Sequence, residues 1–174
     1  MTDVPDPGHN ISPLNAQRMR DFFSVYGSFL QLWQTFELII EIGIMRQLKL
    51  TIRQSSIVLN SLNFAAKSSI LLALLKEDAE NNKAAISAIT SAQTQAERND
   101  FTHSFFTAAE AGPMRLVRRN IRNGNYSVNL RDVNAGTMMQ HGFQFSEAVR
   151  IAMEALEVNA ADIDQYSREI ESHA

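Results

Sequence analysis

The sequence predicts a mainly α protein, a helical bundle of four to five long helices with one short β-hairpin inserted before the last helix. Three observations lead there. Aromatic and aliphatic residues recur every three or four positions over most of the chain, the spacing that gathers them on one face of a helix. One stretch alone, Tyr126-Ser127-Val128-Asn129-Leu130-Arg131, alternates with period two, and Asn123-Gly124 before it is a favoured two-residue hairpin turn. Finally, 174 residues of which 45% are apolar suffice for one substantial core, and nothing marks a second. The chain therefore reads as a flexible tail over 1–12 and a single domain over 13–174.

Composition narrows the function. With no cysteine, disulfide frameworks and thiolate metal sites are excluded, and a reducing compartment fits. Met1 to His9 lacks the basic start and apolar core of a signal peptide, so a cytoplasmic protein is expected. The apolar stretches Phe36 to Met45 and Ile70 to Leu75 are too short and too interrupted to span a bilayer. His9, His141 and His173 are scattered without ligand spacing, so neither a metal nor a cofactor is expected. A net charge of −3 argues against general coating of nucleic acid but leaves room for a local basic surface.

Order should begin at Ser12-Pro13, an N-cap followed by proline at the first helical position, where its missing N–H costs nothing. The stripe Phe22, Tyr26, Phe29, Trp33, Phe36, Ile40, Ile44 and Leu48 then predicts a helix to about Leu48, in which Gly27 and Gly43 permit either close packing or a slight bend. Glu37 and Glu41 flank this stripe one turn apart. They form either a solvated flank or a buried pair, in which one orients Arg98 or meets Lys67 from the next helix. A second helix is expected roughly over Gln54 to Glu77, on the stripe Val58 or Leu59, Leu62, Ala65 or Ala66, Ile70, Ala73 and Leu74. Its second half is apolar almost all round, which predicts the most enclosed element of the bundle. A third runs from about Asn81 to Phe105 with a small-residue face of Ala85, Ile86, Ile89, Ala92 and Ala96.

Ala111-Gly112-Pro113 then punctuates the chain before the hairpin. With Asn123-Gly124 as its loop, Arg122 faces Asn125, Ile121 faces Tyr126, Arg119 faces Val128 and Val117 faces Leu130. That face is mostly apolar. The other carries Arg118, Asn120, Arg122, Asn125, Ser127, Asn129 and Arg131, and no acid occurs between Met114 and Arg131. Asp132 is the expected cap of a last helix with the stripe Met138, Gly142, Phe145, Val149, Ala152, Leu156, Ala160, Ile163 and Ile170, which Asn159 to Asp162 can restart as a separate helix.

Catalytic chemistry is plausible only in Glu97-Arg98-Asn99-Asp100-Phe101-Thr102-His103. Arginine holds a phosphate through a planar fork of donors and histidine titrates nearest neutrality, so the pair suits phosphodiester chemistry. The plainer reading pairs Arg98 with Glu97 or with a neighbouring helix. On one straight helix Asn99 and His103 share a face, whereas Arg98 and His103 stand about 140° apart. Two copies across a two-fold axis would bring the groups together.

Arg98, Asn99 and His103, preceded by a long aromatic helix bearing Phe36-Glu37 and an apolar helix bearing Lys67, and followed by a hairpin and a last helix, resemble a HEPN domain. In that superfamily an arginine, often with a polar residue after it, precedes a histidine near the end of the third helix, and four residues separate the two here. The resemblance runs from about Leu14 to the C-terminus. It implies a helical homodimer with both motifs facing one cleft and no metal, acting as an endoribonuclease that is often a toxin neutralised by a nucleotidyltransferase-like antitoxin. His103 would then be general base or acid toward the RNA 2′-OH, Arg98 would stabilise charge on the phosphate, and Asn99 would orient either. Glu37 would support the site. Arg118, Arg122 and Arg131 would track single-stranded RNA, or simply keep a hairpin edge soluble. Other members are non-catalytic, which gives the alternative of a dimeric module binding RNA, a nucleotide or a partner protein. A third possibility is a plain helical interaction protein in which Arg98 and His103 satisfy a helix end.

Overall fold

Thirty-five residues form one uninterrupted helix, α1 (Pro13–Gln47), in the computed structural model, which describes residues 13–96, 104–108, 114–122 and 125–172. The tail expected over 1–12 lies outside the described residues. α1 buries its aromatic stripe as the spacing predicts: Phe22, Phe29, Trp33, Phe36, Ile40 and Ile44 are buried, Tyr26 is half-buried, and Leu48, past the helix end, is exposed. The helix stops where Lys49 takes φ 53°, letting the Leu50 N–H reach back to the Met45 carbonyl at 2.9 Å and close the last turn. Of its two internal glycines, Gly43 answers a packing need, since a Cβ there would lie 3.0 Å from a Leu71 methyl.

The helix expected over Gln54 to Glu77 is two, α2 (Ile52–Leu59) and α3 (Phe64–Lys76). Asn63 takes extended backbone and accepts from the Ala66 N–H, so a side-chain cap ends one helix and starts another where continuation would have given only another turn. Thr51 and Gln54 form a reciprocal capping box on α2. The new start rotates the buried face of α3 onto Phe64, Lys67, Ser68, Leu71 and Leu75. Ala73 is exposed and Ile70 and Leu74 are half-buried, so α3 is not enclosed all round, although a larger share of its residues is buried than in α1. α3 packs against α4 (Lys83–Ala96), whose small-residue face buries Ala85, Ala88, Ile89 and Ala92.

A three-stranded antiparallel sheet follows, in the order β1 (Phe105–Ala108), β2 (Met114–Arg122), β3 (Asn125–Val133). The hairpin register is the expected one, with Arg122 opposite Asn125, Ile121 opposite Tyr126, Arg119 opposite Val128 and Val117 opposite Leu130. Phe105, expected at a helix end, instead opens β1 and pairs with Val117. Asp132 belongs to β3, and it is Asn134 that caps α5 (Ala135–Ala155), accepting from the Thr137 N–H at 2.9 Å. α6 (Ala160–Glu171) restarts after a capping box between Asn159 and Asp162, and it packs against α2.

The chain divides into two compact units, Met1–Gly27 with Arg98–Met139, and Ser28–Glu97 with Gln140–Ala174. In the first, Phe106 of β1 meets Phe22 and Tyr26 of α1 at ring-centroid distances of 4.9 and 5.1 Å, and Met114, Leu116, Val133 and Met138 are buried. In the second, Trp33, Phe36, Phe64 and Phe145 form an aromatic cluster with contacting centroids 4.4 to 5.8 Å apart. Burying each such ring stabilises by roughly 1.5–3 kcal/mol, and buried aliphatic residues such as Ile39, Ile40, Leu71 and Leu75 add comparable amounts. No described helix is long and apolar enough to cross a membrane.

Candidate functional site

Two concentrations of charge stand out, and they differ in burial. The first is buried. Glu37 and Glu41 lie one turn apart on α1, and Lys67, one turn after Phe64 on α3, reaches both, with Nζ donating to Glu37 Oε1 at 2.7 Å and to Glu41 Oε1 at 2.5 Å. Tyr166 of α6 donates its hydroxyl to Glu41 Oε2 at 3.0 Å and lies 3.1 Å from the Ser55 Oγ of α2. Burial by itself would lower the Lys67 pKa; its hydrogen bonds and charge pairing with Glu37 and Glu41 outweigh that and hold it above its ordinary value. Burial pushes the Tyr166 hydroxyl up to about 12, against the Ser55 hydrogen bond and with the Glu41 charge adding to the rise. Donors and acceptors of four helices are thus committed to one another. The arrangement is a clamp, and the expected partnership with Lys67 is present; the expectation that one of the two glutamates orients Arg98 lies outside the described residues.

A second clasp lies in the same unit. Arg46 donates through Nη1 to the Glu157 carbonyl at 2.8 Å and pairs through Nη2 with Asp162 at 2.7 Å, joining the end of α5 to the start of α6. Glu157 itself takes φ 55°, and the Val158 N–H returns to the Met153 carbonyl, so Arg46 secures a left-handed helix terminus. A cavity of about 310 Å³ opens beside it, lined by Ile42, Met45, Leu50, Ile52, Gln165 and Glu169 among others. The charged pair at its margin is spent on structure.

The other concentration is the sheet. Residues 114–131 hold five arginines and no acid in a chain of net charge −3. Arg118 is half-buried and Arg131 exposed on the face that also carries Leu116; the backbone of Arg122 closes the hairpin opposite Asn125. On the opposite face, Arg115 donates to Asp132 at 3.1 Å and the Arg119 guanidinium lies 5.4 Å from the centre of the Phe105 ring. The expected apolar face is present but turned to solvent, with Tyr126, Leu130, Phe105 and Val128 all exposed and Val117 alone of the described apolar residues there buried. Packing instead uses Phe106, Met114, Leu116 and Val133, which all lie on the other face, the one that carries Arg118 and Arg131.

Arg98, Asn99 and His103 lie outside the described residues, as does Glu97. The motif ends two residues before β1. Among the described residues no three potential metal ligands come together, and the His141 ring lies tilted against that of Phe29, centroids 5.4 Å apart. Sequence reasoning missed Tyr166, Ser55 and Arg46. The capping box at Asn159 was the one available signal, since it fixes the start of α6 that brings Tyr166 and Asp162 into place.

Compared with known proteins, the chain matches no family model, and no curated protein and no solved structure is significantly similar to it.

Proposed function

We propose that the chain is a cytoplasmic, homodimeric, metal-independent endoribonuclease in which the basic sheet holds single-stranded RNA and Arg98, Asn99 and His103 cleave it. The observation that carries this reading is the charge of the sheet, five arginines without an acid from Met114 to Arg131 in an otherwise acidic chain, with strand β1 beginning two residues after His103. Arginines on an extended strand suit a single-stranded backbone. In the cleavage step His103 accepts the 2′-OH proton, the 2′-oxygen bonds to phosphorus, and the bond to the 5′-oxygen breaks as that oxygen takes up a proton. Arg98 stabilises the charge that builds on the phosphate and Asn99 orients it. The toxin role, with a nucleotidyltransferase-like antitoxin as partner, belongs to the same proposal.

The same sheet supports a second reading, a non-catalytic dimeric module that binds RNA, since binding needs only the arginines. Purified protein incubated with single-stranded RNA in excess chelator separates the two. Cleavage that disappears in Arg98→Ala and in His103→Ala is expected; cleavage that survives either substitution would overturn the assignment, and salt-sensitive binding without cleavage would favour the module.

A further inference from the structure

The free edge of the sheet carries an inference that does not depend on the ribonuclease reading. Among the described residues β3 is an edge strand of nine residues, and every residue from Tyr126 to Asp132 is exposed, on both faces. Tyr126 is 63% exposed, Val128 43% and Leu130 61%. Edge strands are ordinarily guarded against pairing by charge, proline, a bulge or shortness. Here the guard is missing where it is needed. The interior strand β2 carries Arg115, Arg118, Arg119 and Arg122, whereas β3 has no charge from Asn125 to Leu130 and is charged only at its end, at Arg131 and at Asp132, which pairs with Arg115 of β2. The other edge, β1, is protected by being only four residues long.

We propose that β3 is the pairing edge for a second copy of this chain, and that two copies join into one continuous antiparallel sheet about a two-fold axis through Asn129. The register follows from the strand. Arg122 and Asn125 close a two-residue hairpin and exchange both hydrogen bonds, so the alternation turns the peptide groups of Tyr126, Val128, Leu130 and Asp132 away from β2. Antiparallel pairing over the full length of β3 centres on Asn129. It sets Val128 opposite the partner's Leu130 and Tyr126 opposite the partner's Asp132, each pair occurring twice, for about eight backbone hydrogen bonds. Apolar side chain meets apolar side chain, hydroxyl meets carboxylate, and Arg131 meets the partner's Ser127, so no like charges are opposed. A polyanion would seek β2 and Arg131 rather than the uncharged run from Tyr126 to Leu130. A second β3 matches that run position by position.

The chain has no cysteine, which makes the test direct. Asn129 would face its own symmetry mate in a non-hydrogen-bonded pair, with Cα atoms about 4.5 Å apart, within disulfide reach. Full-length Asn129→Cys should form a disulfide-linked dimer under mild oxidation, while Ser127→Cys and Arg131→Cys, each offset from its own mate, should not. Val128→Lys should weaken the native dimer by at least about tenfold in sedimentation, because it sets two lysines diagonally across the axis. The proposal is overturned if the native chain is monomeric, if Asn129→Cys crosslinks no faster than Ser127→Cys, or if crosslinking at 129 requires added RNA. The crosslink does not rely on the lysine variant's folding. A crosslink at 129 without RNA cleavage leaves this inference standing and removes the ribonuclease; cleavage without the crosslink does the reverse.

Discussion

Lys67 and Arg131 are both cations on regular elements, yet the helical unit and the sheet use them in opposite ways. Lys67 is 6% exposed, and its ammonium is held by two carboxylates from the neighbouring helix. Arg131 stands exposed on a strand that has one acid, at Asp132. A charge that has been desolvated and paired belongs to the fold, because its removal leaves the partners buried and unpaired. A charge that stays largely in water contributes little to the fold. The first region spends its cation on stability; under the proposed function the second spends its arginines on recognition.

Replacing the buried cation tests this most severely. Lys67→Met leaves Glu37 and Glu41 without it and should lower the unfolding free energy by about 3–5 kcal/mol in urea denaturation; a loss below about 1 kcal/mol would show the clamp to be dispensable. Tyr166→Phe removes the hydroxyl shared by Glu41 and Ser55 and should cost about 1–2 kcal/mol, read as a lower Tm.

The clamp also sets a pH dependence, and both groups act in the same direction. Lys67 has a folded pKa above its unfolded value, so its contribution is complete below about pH 10.4 and is lost as pH rises through the folded value. Tyr166, raised to about 12, keeps in the folded chain a proton that the unfolded chain releases near pH 10, so stability again falls as pH climbs between the two. Denaturation profiles should therefore decline on the alkaline side above about pH 10, and Tyr166→Phe should flatten that decline.

Smaller effects sharpen the contrast. The Ser68 hydroxyl is buried beside Lys67 and has no hydrogen-bond partner among the described residues, so Ser68→Ala should raise stability by about 1 kcal/mol. On the sheet, Arg118→Ala with Arg131→Ala should change stability by no more than about 0.5 kcal/mol per site, although Arg118 is half-buried. A large loss there would make the arginines structural.

What was legible in the sequence follows the range of the interactions involved. The α1 stripe and the hairpin register are local, set by 3.6- and two-residue periods and by one Asn-Gly turn, and both are found as expected. The Glu37–Lys67 pair was legible as one of several options because both residues flank apolar stripes. The break at Asn60 to Asn63 was hidden, since an unbroken apolar run masked an asparagine that caps better than it continues a helix. β1 was hidden for a different reason: four residues become a strand only by pairing with β2, which is a tertiary event. Tyr166, more than a hundred residues from Glu41, had no local signal at all. For the candidate site the sheet arginines were named in advance, but their surroundings were not, because which face of a three-stranded sheet is covered is decided by α1 residues such as Phe22 meeting Phe106.

The most direct test of the division between a structural and a recognising region is the salt dependence of RNA binding, measured with a single-stranded oligonucleotide in the His103→Ala background so that the ligand stays intact. Plotting log affinity against log salt for this protein and for its Arg118→Ala/Arg131→Ala derivative, the account predicts a slope shallower by about 1.4 in the derivative, two phosphate contacts at about 0.7 each, with Tm unchanged. Equal slopes and equal affinities in the two proteins would contradict it.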